Sequence, residues 1–177
     1  KLEIYYTNIS YLGHNDITRA NNMQRGLFIN TNNAIIKNNR IVTSDSIAGN
    51  NYGLYLYQAS NNTIVNNFIN SSRNSGANTY SHGILISALS DNNNITLNSI
   101  FVYSRNSKGI LLQDSSNNYF ERNNITVNSD GYSSGYYSSN GTNSTLINNT
   151  IISYYASADP EGAVYLYISS GTTLRGN

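Results

Sequence analysis

The chain of 177 residues contains no cysteine, so disulfide bonds and thiolate metal sites are excluded. Charged residues make up only 11% of the chain and the formal net charge is +1. This argues against nucleic acid as a partner, because phosphate binding requires a concentrated basic surface. The chain also lacks any apolar run of about 18 residues, so we expect no membrane-embedded segment.

Low charge is combined with many asparagine, serine, threonine and tyrosine residues, a composition that favours an extracellular or cell-surface protein. The glycosylation acceptor pattern Asn-x-Ser/Thr begins at Asn8, Asn61, Asn70, Asn94, Asn124, Asn140, Asn143 and Asn148. An asparagine-rich chain also produces such triplets by chance, so a modified side chain and an incidental triplet both stay open at each position.

A six-residue pattern recurs along the chain: apolar, two variable, Asn, variable, usually Ile. Copies stand at residues 12–17, 36–41, 64–69, 95–100, 120–125 and 146–151, and the chain ends on a shortened copy at 174–177. The aligned asparagines are Asn15, Asn39, Asn67, Asn98, Asn123, Asn149 and Asn177. They are separated by 24 to 31 residues, which is the period of a repeat protein.

A second pattern, Gly-apolar-variable-apolar, precedes most copies of the first. It reads GLFI, GLYL, GILI and GILL at 26–29, 53–56, 83–86 and 109–112. Apolar and polar residues alternate over short runs, as in β-strands, and no segment carries a sustained helical stripe. The sequence therefore predicts an all-β solenoid of six to seven coils, each with three short strands, that form three parallel sheets around an apolar core.

The recurring asparagines have a structural interpretation in such a solenoid. A sharp bend between two short strands requires a residue that tolerates the left-handed backbone region, and asparagine does so better than other non-glycine residues. Asparagine side chains stacked coil over coil can also hydrogen-bond to each other and to the backbone. We therefore expect the seven aligned asparagines to form a ladder along the solenoid.

The segments NNTIVNNFI, NNAIIKNNRI and NNYFERNNI, joined by G-I-x-L segments, resemble the repeats of right-handed parallel β-helix proteins of the pectin-lyase-like superfamily. The resemblance covers essentially the whole chain, and its asparagine-rich character is most similar to the surface proteins of that group. It implies a right-handed parallel β-helix but no particular function, because the superfamily includes enzymes, copper-delivery proteins and surface proteins. We expect residues 1–177 to form a single β-helix domain that is an excerpt of a longer chain.

One outer face of the solenoid is predicted to be rich in aromatic residues. In the Gly-apolar-variable-apolar strand, the variable residue and the one two positions later point away from the core. The aromatic residues at these positions are Phe28, Tyr55, Tyr57, Tyr137, Tyr165 and Tyr167. Such a stripe fits sugar rings, since tyrosine combines an apolar face with a hydroxyl group. Packing against neighbouring subunits or flanking domains of the same protein, and no specific role, are the alternatives.

Catalytic signatures are incomplete. Glycoside hydrolysis needs two suitably placed carboxyl groups, whereas QDS at 113–115 offers a single aspartate. The segments SHG at 81–83 and DPE at 159–161 match motifs of enzymes of the superfamily only in part. We therefore expect no catalytic residues in this chain.

The potential metal ligands are also dispersed. His14 and His82 are the only histidines, and about three coils separate them, so they cannot share a metal ion. The loop at Asp130 lacks the closing glutamate of a calcium site. We expect neither a metal site nor a cofactor.

The sequence thus predicts a non-catalytic extracellular solenoid with a structural or adhesive role in a cell surface, sheath or filament. Its tyrosine-lined face is the expected contact for glycans or neighbouring subunits. The alternative is a carbohydrate-active enzyme of the β-helix type, namely a polysaccharide lyase, hydrolase or epimerase.

Overall fold

The computed structural model describes residues 2–10, 26–45, 50–73, 80–155 and 162–177. Within these ranges every regular element is a β-strand. The strands form three sheets, and within each sheet every strand runs parallel to its neighbours. The predicted all-β solenoid with three parallel sheets is confirmed.

The three sheets are numbered in the order in which the chain enters them. Sheet 1 contains β1 (Glu3–Tyr5), β4 (Ile35–Lys37), β7 (Thr63–Val65), β10 (Asn94–Thr96), β13 (Tyr119–Glu121), β16 (Thr145–Ile147) and β19 (Thr173–Arg175). Sheet 2 contains β2 (Asn8–Ser10), β5 (Arg40–Asp45), β8 (Phe68–Arg73), β11 (Ser99–Tyr103), β14 (Asn124–Ser129) and β17 (Thr150–Tyr155). Sheet 3 contains β3 (Leu27–Ile29), β6 (Asn50–Tyr57), β9 (Tyr80–Ser87), β12 (Asn106–Gln113), β15 (Ser133–Ser139) and β18 (Val164–Tyr167).

The number of turns is slightly smaller than predicted. Sheet 1 has seven strands and therefore six steps, whereas sheets 2 and 3 have six strands and five steps each. The described part of the solenoid thus makes five to six turns, against the expected six to seven coils. The prediction counted seven aligned asparagines, but the position one coil before Asn39 belongs to Thr7 and not to Asn15, because Ile4 pairs with Ile36 and Thr7 N donates to Asn39 Oδ1 (2.9 Å). The row in the described residues therefore contains six of the seven predicted asparagines, and Asn15 itself lies outside those residues.

The apolar core lies inside the three sheets and is built from stacked identical or similar side chains. In sheet 1, Ile36, Ile64 and Ile95 are in register on neighbouring coils and are fully buried. Ile69 of sheet 2 and Ile84 of sheet 3 belong to the same cluster. Each such side chain contributes about 1.5–3 kcal/mol of transfer free energy, so coil stacking is driven by the repeated apolar positions.

The bend between sheets 1 and 2 uses a left-handed residue, but not the expected one. Positive φ angles occur at Asn38 (58°), Asn66 (53°) and Asn148 (53°), each immediately before an aligned asparagine. The corresponding residues of the coils between them are Leu97 and Arg122, also with positive φ. The expectation that the aligned asparagines themselves adopt this conformation is therefore wrong; they lie one position later.

The aligned asparagines instead join consecutive coils through their side chains. Asn67 Oδ1 accepts hydrogen bonds from Asn39 N (2.9 Å) and Asn39 Nδ2 (3.1 Å). Asn67 Nδ2 donates to Asn98 Oδ1 (3.0 Å) and to Ile36 O (2.9 Å). The same bonds continue through Asn123, Asn149 and Asn177. These hydrogen bonds satisfy buried polar groups at each bend between sheets 1 and 2, and they hold neighbouring coils at a constant distance.

A second, shorter row of the same kind lies at the bend between sheets 3 and 1. Asn62 N donates to Asn93 Oδ1 (2.8 Å), and Asn93 N donates to Asn118 Oδ1 (2.9 Å). All three side chains are buried. The sequence signal for this row is the second residue of the Asn-Asn pairs at 61–62, 92–93 and 117–118, which repeats the pairs at 38–39, 66–67 and 148–149.

In the part of the chain that the structure describes, no helix is sufficiently long and apolar to cross a membrane.

Candidate functional site

The aromatic face predicted from the sequence lies on sheet 3 and is less exposed than expected. Phe28 and Tyr167 are exposed, whereas Tyr57, Tyr137 and Tyr165 are half-buried. Tyr55 is only 5% exposed, because it packs in an outer cluster with Tyr52, Leu85 and Leu111. The expectation of a continuous exposed stripe is therefore wrong. Side chains in register on adjacent coils are only about 4.8 Å apart and cover one another.

A bend at the glycine of each sheet 3 strand determines which side chains share this face. A Cβ on Gly53 would meet the core side chain of Ile69 and would lie 2.6 Å from the Gly83 carbonyl oxygen, so Gly53 faces inward. Leu54 is also in the core, and the alternation of inward and outward residues is therefore interrupted between them. As a result, both Tyr52 and Tyr55 project outward on the same side of the strand, with ring centroids 5.3 Å apart.

This interruption adds an outward row that the sequence analysis missed, the pre-glycine row. It contains the residue immediately before each glycine: Tyr52, His82, Lys108 and Ser134. The register of the Gly-apolar-variable-apolar pattern would have located these residues. Strict alternation, however, placed them opposite to the observed side, because it takes no account of the bend.

Three members of the pre-glycine row, Tyr52, His82 and Lys108, line a groove with a volume of about 550 Å³. That volume lies within the range of small-molecule sites. The groove is lined by Asn50, Tyr52, Tyr80, His82, Asn106, Lys108, Leu111, Gln113, Tyr132 and Tyr137. It extends over four consecutive strands of sheet 3, or about 14 Å along the solenoid axis at one strand spacing per coil. This length suits a short extended ligand.

His82 is a neutral, buried member of this groove. Burial and, to a smaller extent, the positive charge of Lys108 on the next coil together lower its pKa to about 3. Its Nδ1 atom is buried without a hydrogen-bond partner. The imidazole lies between the rings of Tyr52 and Tyr80, with centroids 5.5 and 6.4 Å away. It therefore presents an uncharged polar ring at neutral pH.

Lys108 supplies the cationic group of the groove. Its side chain is 8% exposed, and burial lowers its pKa to about 8. The Nζ atom lies 4.9 Å from the centroid of the Tyr137 ring, which is a cation–π distance. Tyr137 in turn stacks on Tyr165 at 5.1 Å, so the ring under the ammonium group is held in place.

The groove thus combines aromatic faces, three carboxamide side chains and one ammonium group. Among the described residues that line it there is no aspartate or glutamate, and therefore no pair of carboxyl groups of the kind that glycoside hydrolysis requires. Asp114, the single aspartate of the QDS segment, is exposed and accepts a hydrogen bond from Asn140 Nδ2 (3.0 Å). His14 and residues 159–161 lie outside the described residues.

The sequon asparagines are distributed over the outer surface. All are exposed except Asn70, which is half-buried on sheet 2. The exposed ones are Asn8, Asn61, Asn94, Asn124, Asn140, Asn143 and Asn148. Asn61, Asn140, Asn143 and Asn148 have positive φ, at bends between strands. None of the sequon asparagines is among the residues that line the sheet 3 groove, which is the candidate binding site.

The sequence profile of a family described as "Periplasmic copper-binding protein (NosD)" matches residues 5–177. The chain belongs to the NosD family. The family is described as periplasmic, which agrees with the expected location outside the cytoplasm, in the cell envelope or beyond it. A comparison with curated proteins found no match.

Two solved structures are similar to the NosD-family chain in fold. Both are of the periplasmic alginate epimerase AlgG, one as a point mutant, with 15% and 16% sequence identity and TM-scores of 0.55 and 0.54. Each match covers 85% of this chain and 41% of the other, so the chain spans less than half the length of those proteins. The likeness shows the β-helix fold and no shared activity.

The described residues of this chain do not fit the copper in the family's description. The described residues contain no group of three histidine, cysteine or carboxylate side chains. His82 has the ammonium group of Lys108 on the adjacent coil, and its positive charge disfavours a metal cation. The sequence has no cysteine and a single methionine to supply the soft ligands that copper(I) prefers.

Proposed function

We propose that this chain is a non-catalytic β-helix of the cell envelope or cell surface that binds carbohydrate in the groove on sheet 3. The observation that carries the proposal is the lining of the groove, which brings four tyrosine rings together with the side chains of Asn50, Asn106 and Gln113. Aromatic faces stack on the apolar faces of sugar rings, and carboxamides donate and accept hydrogen bonds with sugar hydroxyl groups.

The fold supports a passive, rigid role for the rest of the chain. Two rows of buried asparagines and a continuous apolar core tie each coil to the next. Binding groups placed on such a scaffold need little ordering when a ligand arrives, which favours affinity. A neighbouring subunit or flanking domain that covers sheet 3 is the competing occupant of this face.

A second candidate function, a carbohydrate-active enzyme, is favoured by one observation. Burial lowers the pKa of Lys108 to about 8, close to the value at which a lysine can act as a general base at neutral pH. His82 lies beside it on the adjacent coil in the same groove. A lyase or epimerase needs a base but no pair of carboxyl groups, whereas a hydrolase of the usual kind needs the pair.

Binding is tested by measuring the affinity of the folded chain for a panel of oligosaccharides by calorimetry. Replacing Tyr137 with alanine is expected to weaken binding about three- to tenfold, the loss of one aromatic contact. The matched control is Tyr103→Ala, because Tyr103 is also exposed on a strand but lies on sheet 2. Equal effects of the two changes, or no binding to any saccharide, would contradict the proposal.

The enzyme alternative is tested on the same saccharides. Prolonged incubation followed by chain-length analysis, and by ultraviolet absorbance for unsaturated sugars, detects lyase or hydrolase products. Incorporation of deuterium into the sugar, with deuterated water as solvent, detects epimerisation. We expect no turnover; turnover that disappears in the Lys108→Gln variant would establish the enzyme instead.

A further inference from the structure

We propose that two copies of this chain associate through the outer face of sheet 1, with their solenoid axes antiparallel. The inference is independent of the groove, because sheet 1 and sheet 3 are different faces of the solenoid. The partner is a second copy of the chain, since the outer face of sheet 1 is complementary to itself about one two-fold axis.

The face is flat and regular. Each bend from sheet 1 to sheet 2 contains two residues, and each bend from sheet 3 to sheet 1 contains five or six. From Leu2 onward, every residue of sheet 1 and of the bends that flank it belongs to the part of the chain that the structure describes. No insertion interrupts these residues, so a second flat surface can pack closely against them.

Two rows of side chains cover this face. Each strand from β1 to β16 turns its central residue into the core, and its first and third residues therefore point outward. From β1 to β19, the first residues are Glu3, Ile35, Thr63, Asn94, Tyr119, Thr145 and Thr173. The third residues are Tyr5, Lys37, Val65, Thr96, Glu121, Ile147 and Arg175.

The charges of the third residues match about a two-fold axis that lies parallel to the strands, between β7 and β10. This axis brings Lys37 opposite Glu121 of the second copy, and because the contact is isologous the ion pair forms twice. It also brings Tyr5 opposite Ile147 of the second copy. Within its own chain, Glu121 Oε1 lies 3.6 Å from Arg122 Nε in a largely exposed pair that contributes little. The carboxylate can therefore accept Lys37 as a further partner.

The first residues agree with the same axis. Ile35 lies opposite Tyr119 of the second copy, an apolar contact, and Thr63 lies opposite Asn94, a polar one. Exposed asparagines in the bends before the strands extend the match, since a carboxamide both donates and accepts hydrogen bonds and so pairs with its own kind. These asparagines are Asn33, Asn61, Asn92 and Asn117.

Neighbouring positions of the axis lose the match. An axis through β10 places Lys37 against Ile147, which leaves the charge without a partner. An axis between β10 and β13 places Lys37 against Arg175, and like charges in contact are unfavourable. The charges thus select one register by attraction in that register and repulsion in another.

The area of the face sets the strength of the contact. The overlap covers the six strands from β1 to β16 and the six residues across each coil that correspond to 33–38. At about 4.8 Å per strand and about 3.3 Å per residue, it measures about 29 by 20 Å, or about 1,100 Å² for the two copies together. Specific interfaces bury about 1,200–2,000 Å². We therefore expect a weak dimer, with a Kd in the micromolar range.

The experiment measures sedimentation velocity of the chain over a concentration series at low and high salt. The unmodified chain should show a monomer–dimer equilibrium that salt weakens, because exposed ion pairs are screened. Lys37→Glu sets carboxylates opposite each other at both ion pairs and should weaken the dimer about tenfold. Adding Glu121→Lys to that variant restores opposite charges and should return the Kd to within about threefold of the original value.

Arg175→Glu is the matched control. Arg175 is an exposed cation in the same row as Lys37, but it lies on β19, outside the overlap. Its replacement should leave the Kd unchanged. Thermal unfolding verifies that each variant is folded.

Each contrary result has a defined meaning. A chain that stays monomeric over the whole series overturns the inference and leaves the face to a partner of another kind. A dimer that Lys37→Glu and Arg175→Glu weaken equally, or that the double replacement does not restore, also overturns it. The concentration and salt series on the unmodified chain decides the matter even where a variant is poorly folded, and saccharide binding on sheet 3 is measured separately.

Discussion

Replacing Asn67 with alanine is expected to destabilise the solenoid strongly although it removes no apolar contact. Asn67 is 2% exposed and lies in the middle of the asparagine row. Its Oδ1 accepts from Asn39 N at 2.9 Å, and its Nδ2 donates to Ile36 O at 2.9 Å, to Val65 O at 3.1 Å and to Asn98 Oδ1 at 3.0 Å. The alanine variant loses all of these bonds at once.

The magnitude follows from the groups left behind. Asn98 Oδ1 keeps the bond from the Asn67 backbone N–H, and Asn39 Nδ2 keeps its bond to Ile4 O. The backbone N–H of Asn39 and the carbonyl of Ile36 each lose the asparagine partner in a buried place. At about 1–3 kcal/mol for each such group, the expected loss is about 3 kcal/mol. For a chain of this size that corresponds to a decrease of about 6–12 °C in Tm.

Thermal unfolding followed by circular dichroism measures this loss, with Asn66→Gly as the matched control. Asn66 precedes Asn67, is exposed, and has a φ of 53° that glycine adopts freely. Its side chain donates to Asn38 Oδ1 (2.7 Å) in a solvent-exposed hydrogen bond, so the control should change stability by less than about 1 kcal/mol. If Asn67→Ala lowered Tm no more than the control, the asparagine row would not hold the coils together.

Three further predictions concern other bends and the groove. Leu97→Asn should raise the free energy of unfolding in urea by about 1 kcal/mol, because Leu97 is exposed with a φ of 58°, where asparagine is less strained; a loss of stability would contradict this. Gly83→Ala should destabilise by about 1–3 kcal/mol or prevent folding, since its Cβ would meet Ile100 and the Gly109 carbonyl; unchanged urea unfolding would refute the bend. The pKa of His82 is about 3 in the folded chain and keeps its ordinary value of 6.5 in the unfolded chain. As the pH falls below 6.5, the unfolded chain therefore binds a proton that the folded chain does not, and the free energy of unfolding decreases. Stability should therefore decrease between pH 6 and 4 by up to about 1.4 kcal/mol per pH unit, and equal slopes for the unmodified chain and His82→Gln would refute it.

The fold was accessible from the sequence because the same two patterns recur in most coils. Ile36, Ile64 and Ile95 occupy one position of the first pattern, and the structure stacks them in register. Because the pattern is repeated, an exception in one coil does not hide it. Leu97, for example, occupies the bend position that is Asn38 or Asn66 in other coils.

The groove was less accessible because it depends on a break in the strand pattern. Alternation alone assigns Tyr55 an exposed position and gives no role to Tyr52, but the bend at Gly53 turns both side chains to one side, where they bury each other. Two neighbours of Lys108 in the groove, His82 and Tyr137, are 26 or more positions away along the chain. Which rings meet a given side chain is fixed by coil register, and a single-coil motif does not contain that information.

The asparagine row also has a consequence for how such a chain can change in length. The hydrogen bonds of Asn67 join it to Asn39 and Ile36 on the preceding coil and to Asn98 on the following coil. Inserting or deleting one whole coil therefore leaves every remaining bend with an equivalent partner, whereas adding a few residues inside a strand shifts an asparagine out of line. Growth by duplication of complete coils is the change that this architecture tolerates, and each added coil would lengthen the outer face by one strand spacing.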